Sequence, residues 1–136
     1  MTRRTSIGPS SRWLLIACGP INLAGAVIFS PLFPGVRAAI GLPEAHPFYL
    51  WTLSAWVLAF GLAYVRQGWS GQINRSVLAL GAWGKGVFAL LVVERVAAGD
   101  SPPIALSVAL PDLALAAVFA SWLWQSRARQ VRAELP

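Results

Sequence analysis

The sequence predicts an all-α integral membrane protein, an antiparallel bundle of four transmembrane helices with both termini in the cytoplasm. Of its 136 residues, 57% are hydrophobic and 12% are charged, which leaves too little polar surface to coat a soluble globule of this size. Four apolar runs are long enough to cross a bilayer, and most basic residues flank them on one side. We therefore expect a single membrane domain over residues 1–136.

The first span is expected over residues 13–32. Residues 1–12 before it carry three arginines and no apolar periodicity, which predicts a short disordered cytoplasmic leader. The run Ala24-Gly25-Ala26 fits the pattern of a signal-peptide cleavage site. Because the apolar run continues past it through Phe29, we expect a retained transmembrane helix rather than a cleaved signal peptide.

The remaining three spans are expected over residues 48–65, 76–96 and 104–124. Residues 34–47 form an outer loop, because three prolines and two glycines interrupt any long helix there. Residues 66–75 are polar and predict a flexible turn on the other side of the membrane. Aromatic residues near the span ends are typical of the membrane interface: Tyr49, Trp51, Trp122 and Trp124.

The distribution of lysine and arginine predicts the orientation of the spans. Three basic residues lie in the leader, two in the 66–75 loop and three in the C-terminal tail, which makes eight on one side. Only two, Arg37 and Arg95, lie on the other side, and Lys85 lies inside a span. Positive residues are retained in the cytoplasm, so this bias places both termini inside.

Two opposite charges, Lys85 and Asp112, lie within the third and fourth spans. Lys85 lies about as far before Gly99, in the connecting turn, as Asp112 lies after it. In an antiparallel helical hairpin this spacing puts both at a similar depth, which predicts an ion pair. An unpaired charge near the bilayer centre costs at least about 2.5 to 3.5 kcal/mol on insertion scales, so a partner is expected.

Asn22 and Trp56 are expected at the same depth as the pair, in the first and second spans. Two interpretations follow. In the first, the intramembrane polar groups only tie helices together and the glycines around Lys85 only allow close packing. In the second, Lys85, Asp112, Asn22 and Trp56 line a polar cavity that binds a lipid headgroup, an isoprenoid quinone or a proton.

The sequence lacks the residue patterns that several classes of enzyme require. It contains no nucleophile beside a base, no pair of cysteines two residues apart and no phosphate-binding loop, which favours a non-enzymatic role without catalytic residues or cofactor. The single Cys18 and the single His46 do not predict a metal site. The sequence pI is about 11.1, but the basic residues flank apolar runs instead of covering a polar face, so no nucleic-acid partner is expected.

Several short motifs occur along the chain. They are Gly41-Leu42-Pro43 in the outer loop, Phe60-Gly61-Leu62 in the second span, Gly81 to Lys85 in the third, then Gly99, a proline pair and Pro111-Asp112-Leu113. Together they resemble the DoxX-like group of small four-helix membrane proteins. The second span lacks the acidic residue of the DoxX pattern. The resemblance therefore implies the four-helix fold rather than a redox or quinone-linked activity.

The sequence favours a small accessory or scaffold protein of the cytoplasmic (inner) membrane. The expected partners are the lipid bilayer, a bound lipid or quinone, and either another membrane protein or further copies of the chain. A ligand or proton site built around Lys85 and Asp112 is the alternative.

Overall fold

The computed structural model describes residues 5–6 and 8–134, with side chains over residues 8–125. This part of the chain is predominantly helical, which confirms the all-α prediction. The α-helices are α1 (Pro9–Phe29), α2 (Pro34–Ala39), α3 (Pro47–Ser70), α4 (Arg75–Ala97) and α5 (Leu106–Glu134), and a 3₁₀ turn, Pro103–Ala105, precedes α5. Two short strands, β1 (Thr5–Ser6) and β2 (Gln72–Ile73), pair antiparallel.

Four helical segments are long and apolar enough to cross a membrane, which agrees with the four predicted spans. They are Pro9–Phe29, Pro47–Ser70, Arg75–Ala97 and Pro103–Gln125. Only 22% to 28% of the residues in their most apolar windows are buried within the protein. Apolar surface on this scale is typical of helices that are covered by lipid.

Three helices extend beyond the predicted spans. Helix α1 begins at Pro9, because proline lacks an N–H and fits the first turn of a helix. Helix α3 continues past residue 65 to Ser70 and ends where Gly71 adopts a left-handed conformation, with φ at 65°. Helix α5 continues to Glu134, well beyond the predicted end of the fourth span.

The prediction of a disordered leader is wrong for the residues that the structure describes. Thr5 pairs with Ile73, and Ser6 pairs with Gln72. Helix α1 begins at Pro9, so most of residues 8–12 are helical. The rest of the leader, residues 1–4 and 7, lies outside the described residues, and so do the side chains of the C-terminal arginines.

The chain divides into two compact units, Met1–Asn74 and Arg75–Pro136. In the first unit, α1 and α3 pack as an antiparallel pair. Their surfaces approach closely at glycines, so that a Cβ on Gly61 would lie 2.8 Å from the Cβ of Asn22. The buried side of α1 is formed by Leu15, Cys18, Asn22 and Ala26, which recur at helical spacing.

Arg12 joins the start of α1 to the end of α3. Its guanidinium donates from Nε to the Gly68 carbonyl at 3.0 Å and from Nη2 to the Trp69 carbonyl at 3.0 Å. These carbonyls belong to the last turn of α3, where the helix carries a partial negative charge. Arg12 therefore caps a helix in addition to contributing to the charge bias that predicts orientation.

In the second unit, α4 and α5 form an antiparallel helical hairpin. Its buried apolar cluster near the turn contains Ala89, Val92, Ala105 and Ala109, with Phe88 and Val96 packed against it. Helix α4 ends in a Schellman motif, in which Asp100 N–H bonds the Arg95 carbonyl at 2.9 Å and Gly99 N–H bonds the Val96 carbonyl at 3.1 Å. Gly99 has φ at 83°, in the left-handed region that this motif requires.

Gly99→Ala is expected to destabilise the hairpin by about 1 to 2 kcal/mol, because a Cβ disfavours the left-handed conformation. Gly84→Ala is the control, since Gly84 lies within helical α4 and a Cβ there would meet nothing within 4 Å. Unfolding of both variants in mixed detergent micelles measures the difference. Equal stability of the two variants would contradict the structural role of Gly99.

Candidate functional site

The structure pairs Lys85 of α4 with Asp112 of α5, as the sequence predicts. Lys85 Nζ donates to Asp112 Oδ1 in a direct ion pair. The Lys85 side chain is 10% exposed and the Asp112 side chain 22% exposed. The pair is therefore largely withdrawn from the surface of the protein.

The register of the α4–α5 hairpin brings the two charges together. Near the turn, Ala89 of α4 and Ala109 of α5 belong to the same buried cluster. At the other end, Arg75 Nη2 donates to the Leu123 carbonyl at 3.3 Å. The ion pair lies between these two contacts, in the middle of both candidate spans, where an unpaired charge would be least favourable.

Small residues surround the pair on α4. A Cβ on Gly84 would meet nothing within 4 Å, and one on Gly86 would meet only the Ala116 Cβ at 3.9 Å. On α5, Pro111 lies immediately before Asp112 and has no N–H to donate, which deprives the Ser107 carbonyl of its helical hydrogen bond. The Ser107 carbonyl is therefore left as a backbone acceptor about one turn before Asp112 on α5.

Asn22, the third predicted site residue, lies in the first unit and is 4% exposed. Its Nδ2 donates to the Cys18 carbonyl at 2.7 Å, four residues earlier on the same helix. The Asn22 side chain also packs against Gly61 of α3. Its amide donor is therefore engaged by its own helix, and its contact with α3 is one of close packing.

Trp56, the fourth predicted site residue, also lies in the first unit, on α3, and is 63% exposed. Trp83 of α4 is similarly exposed. Large exposed aromatic rings on apolar helices are suited to contact with lipid chains and headgroups. Of the four predicted site residues, the structure thus joins Lys85 and Asp112 in direct contact.

Arg37 is a buried charge that the sequence analysis treated only as a loop residue. It lies on α2 and donates from Nη1 to the Ser30 carbonyl at the end of α1. Short loops with one arginine are common beside membrane spans, and no apolar periodicity marks this arginine as buried. Its burial depends on the path of the chain after α1, which the sequence pattern does not specify.

The other polar side chains near the helix ends have local roles. Arg95 pairs with Glu94 at 2.8 Å and with Asp100 at 2.9 Å, and all three are exposed. His46 Nδ1 accepts from Phe48 N–H at 3.3 Å, which caps the start of α3. Within the described residues, no group of three or more histidine, cysteine, aspartate or glutamate side chains is arranged to hold a metal ion.

The four potential membrane-spanning helices indicate a membrane protein. Comparison with models of known protein families, with curated proteins and with solved structures found no match. The resemblance to the DoxX-like group therefore stays a prediction from the motifs.

Proposed function

We propose that this protein is a four-span accessory or scaffold protein of the cytoplasmic membrane, in which the Lys85–Asp112 pair is structural. The observation that carries the proposal is the direct contact between the two charges within one helical hairpin. The proposal assigns no catalytic residue and no cofactor. It includes an antiparallel four-helix bundle with both termini in the cytoplasm.

An ion pair between the two helices of one hairpin is suited to joining them. Lys85 and Asp112 neutralise each other within the hairpin, so a ligand that took either charge as its main partner would have to weaken this contact. The Asn22 amide is likewise engaged, by the Cys18 carbonyl. These contacts favour the structural interpretation over a site for a quinone or a proton.

The exposed apolar residues support a role in binding lipid or another membrane protein. Exposed large apolar side chains occur on all four candidate spans, including Leu23, Trp56, Leu62, Leu80, Trp83, Leu91 and Leu110. In a bilayer, such surfaces contact lipid chains or pack against helices of a partner. The partner is either another membrane protein or a second copy of this chain.

The orientation predicts the result of fusing a reporter to each terminus. Both an N-terminal and a C-terminal fusion should report a cytoplasmic location, because eight basic residues flank the spans on that side against two on the other. The matched control is a reporter fused within residues 40–44 of the predicted outer loop, and it should report a periplasmic location. A terminus reported outside would contradict the proposed topology.

Native mass spectrometry of the purified protein tests the proposed function against the alternative. We expect lipid or a protein partner to copurify, and to remain bound when Lys85→Met and Asp112→Asn are combined, because the pair only joins two helices. The combined variant is used because it removes both charges and leaves neither alone. A bound quinone that is lost in this variant would instead establish the ligand site.

A further inference from the structure

Arg37 is a buried cation with unused hydrogen-bonding capacity. It is 6% exposed, and its Nη1 donates to the Ser30 carbonyl. Its Nε is buried and has no hydrogen-bond partner in the part of the chain that the structure describes. A guanidinium has five N–H donors and stays charged under all ordinary conditions, so the single bond to Ser30 leaves most of its capacity free.

No carboxylate neutralises Arg37 among the described residues. The ion pairs there join Lys85 to Asp112, and Arg95 to Glu94 and Asp100. The end of α1 supplies only about half a negative charge, spread over its last carbonyls, and this offsets part of the guanidinium charge. A buried charge ordinarily has a full partner, which suggests that the missing anion comes from outside the chain.

We infer that Arg37 binds a phosphate oxyanion at this end of the first unit. Arginine presents a planar fork of N–H groups that matches the oxygens of phosphate. The inference rests on the proposed topology, which puts α2 at the non-cytoplasmic face of the cytoplasmic membrane. The polar headgroups of the bilayer, which carry the lipid phosphates, lie at that level.

The test uses the full chain, purified in a neutral detergent and stripped of lipid. Its thermal midpoint is measured during titration with phosphatidylglycerol, with diacylglycerol of the same chains, and with inorganic phosphate. Phosphatidylglycerol should raise the midpoint and diacylglycerol should not. A matching rise with inorganic phosphate would identify a free oxyanion as the ligand, and its absence would identify the lipid headgroup.

Arg37→Gln should weaken the response to the phosphate ligand about tenfold, which is the usual effect of losing a charged hydrogen bond. Arg95→Gln is the matched control, because it makes the same change at an exposed arginine that already has carboxylate partners. It should respond as the unmodified protein does. If Arg37→Gln does not fold, Arg37→Lys takes its place, since it keeps the charge and removes the fork.

An equal response to phosphatidylglycerol and diacylglycerol, or no response to any phosphate, would overturn the inference without need of a variant. An unchanged affinity in the Arg37 variant would also overturn it. Extraction of cell membranes with alkaline carbonate distinguishes a failure of the Arg37 site from a failure of the proposed function. If the protein stays in the membrane but does not respond to phosphate, only the Arg37 site is refuted. If carbonate releases the protein, the membrane role itself is refuted.

Discussion

Asp112→Asn is expected to lower the free energy of unfolding by about 3 to 5 kcal/mol, because it leaves Lys85 charged and without its carboxylate. The Lys85 side chain is 10% exposed and lies in the middle of a candidate span, so water cannot readily replace the lost partner. Unfolding in mixed detergent micelles measures the change. The loss should exceed that of any single surface charge in the protein.

Asp100→Asn is the matched control for this prediction. Asp100 also pairs with a cation, Arg95, but both side chains are more than half exposed. Exposed pairs of this kind contribute only about 0.2 to 1 kcal/mol. Similar losses in the two variants would mean that Lys85 finds water or another acceptor when Asp112 is neutralised, and would contradict the account of a buried pair.

Gly68→Ala is expected to lower the free energy of unfolding by about 1 to 3 kcal/mol through overpacking between α1 and α3. A Cβ at residue 68 would lie 2.8 Å from the Arg12 carbonyl oxygen and 2.7 Å from Ile16 Cγ1. Ile16 could rotate, but the Arg12 carbonyl belongs to the helix backbone and moves only if α1 shifts. Such a shift would also disturb the hydrogen bonds from Arg12 to the end of α3.

Gly25→Ala is the control on the same interface. A Cβ there would meet Val57 Cγ1 at 3.4 Å, which is close to an ordinary contact. The usual gain in helix propensity, about 0.8 to 1 kcal/mol, should then make this variant neutral or more stable. Equal stability of the two variants in mixed micelles would contradict the close packing of α1 against α3 at Gly68.

The four spans and the Lys85–Asp112 pair could be predicted because each depends on local pattern. Apolar runs of about 20 residues mark the spans, because a helix satisfies its own backbone hydrogen bonds in lipid and needs that length to cross the hydrocarbon core. The short turn at Gly99 fixes the register of the α4–α5 hairpin, so two charges at equal distance from it must meet.

The features that the sequence analysis missed depend on contacts between residues distant along the chain. Arg12 was predicted to lie in a disordered leader, yet it bonds carbonyls of α3 more than fifty residues away. Arg37 was counted as an orientation signal, yet it is buried. Asn22 was placed beside a cavity in only one of the two interpretations, and its bond to the Cys18 carbonyl reflects a choice of side-chain rotamer that composition and spacing do not determine.

The double-mutant cycle on Lys85 and Asp112 tests the central claim of a structural intramembrane ion pair most directly. Thermal midpoints in detergent are compared for the unmodified protein, Lys85→Met, Asp112→Asn and the double variant. Because the double variant removes the ion together with its partner, it should lose less stability than the two single variants combined, and less than Asp112→Asn alone. Additive losses, with the double variant as unstable as the two single variants together, would contradict the pair.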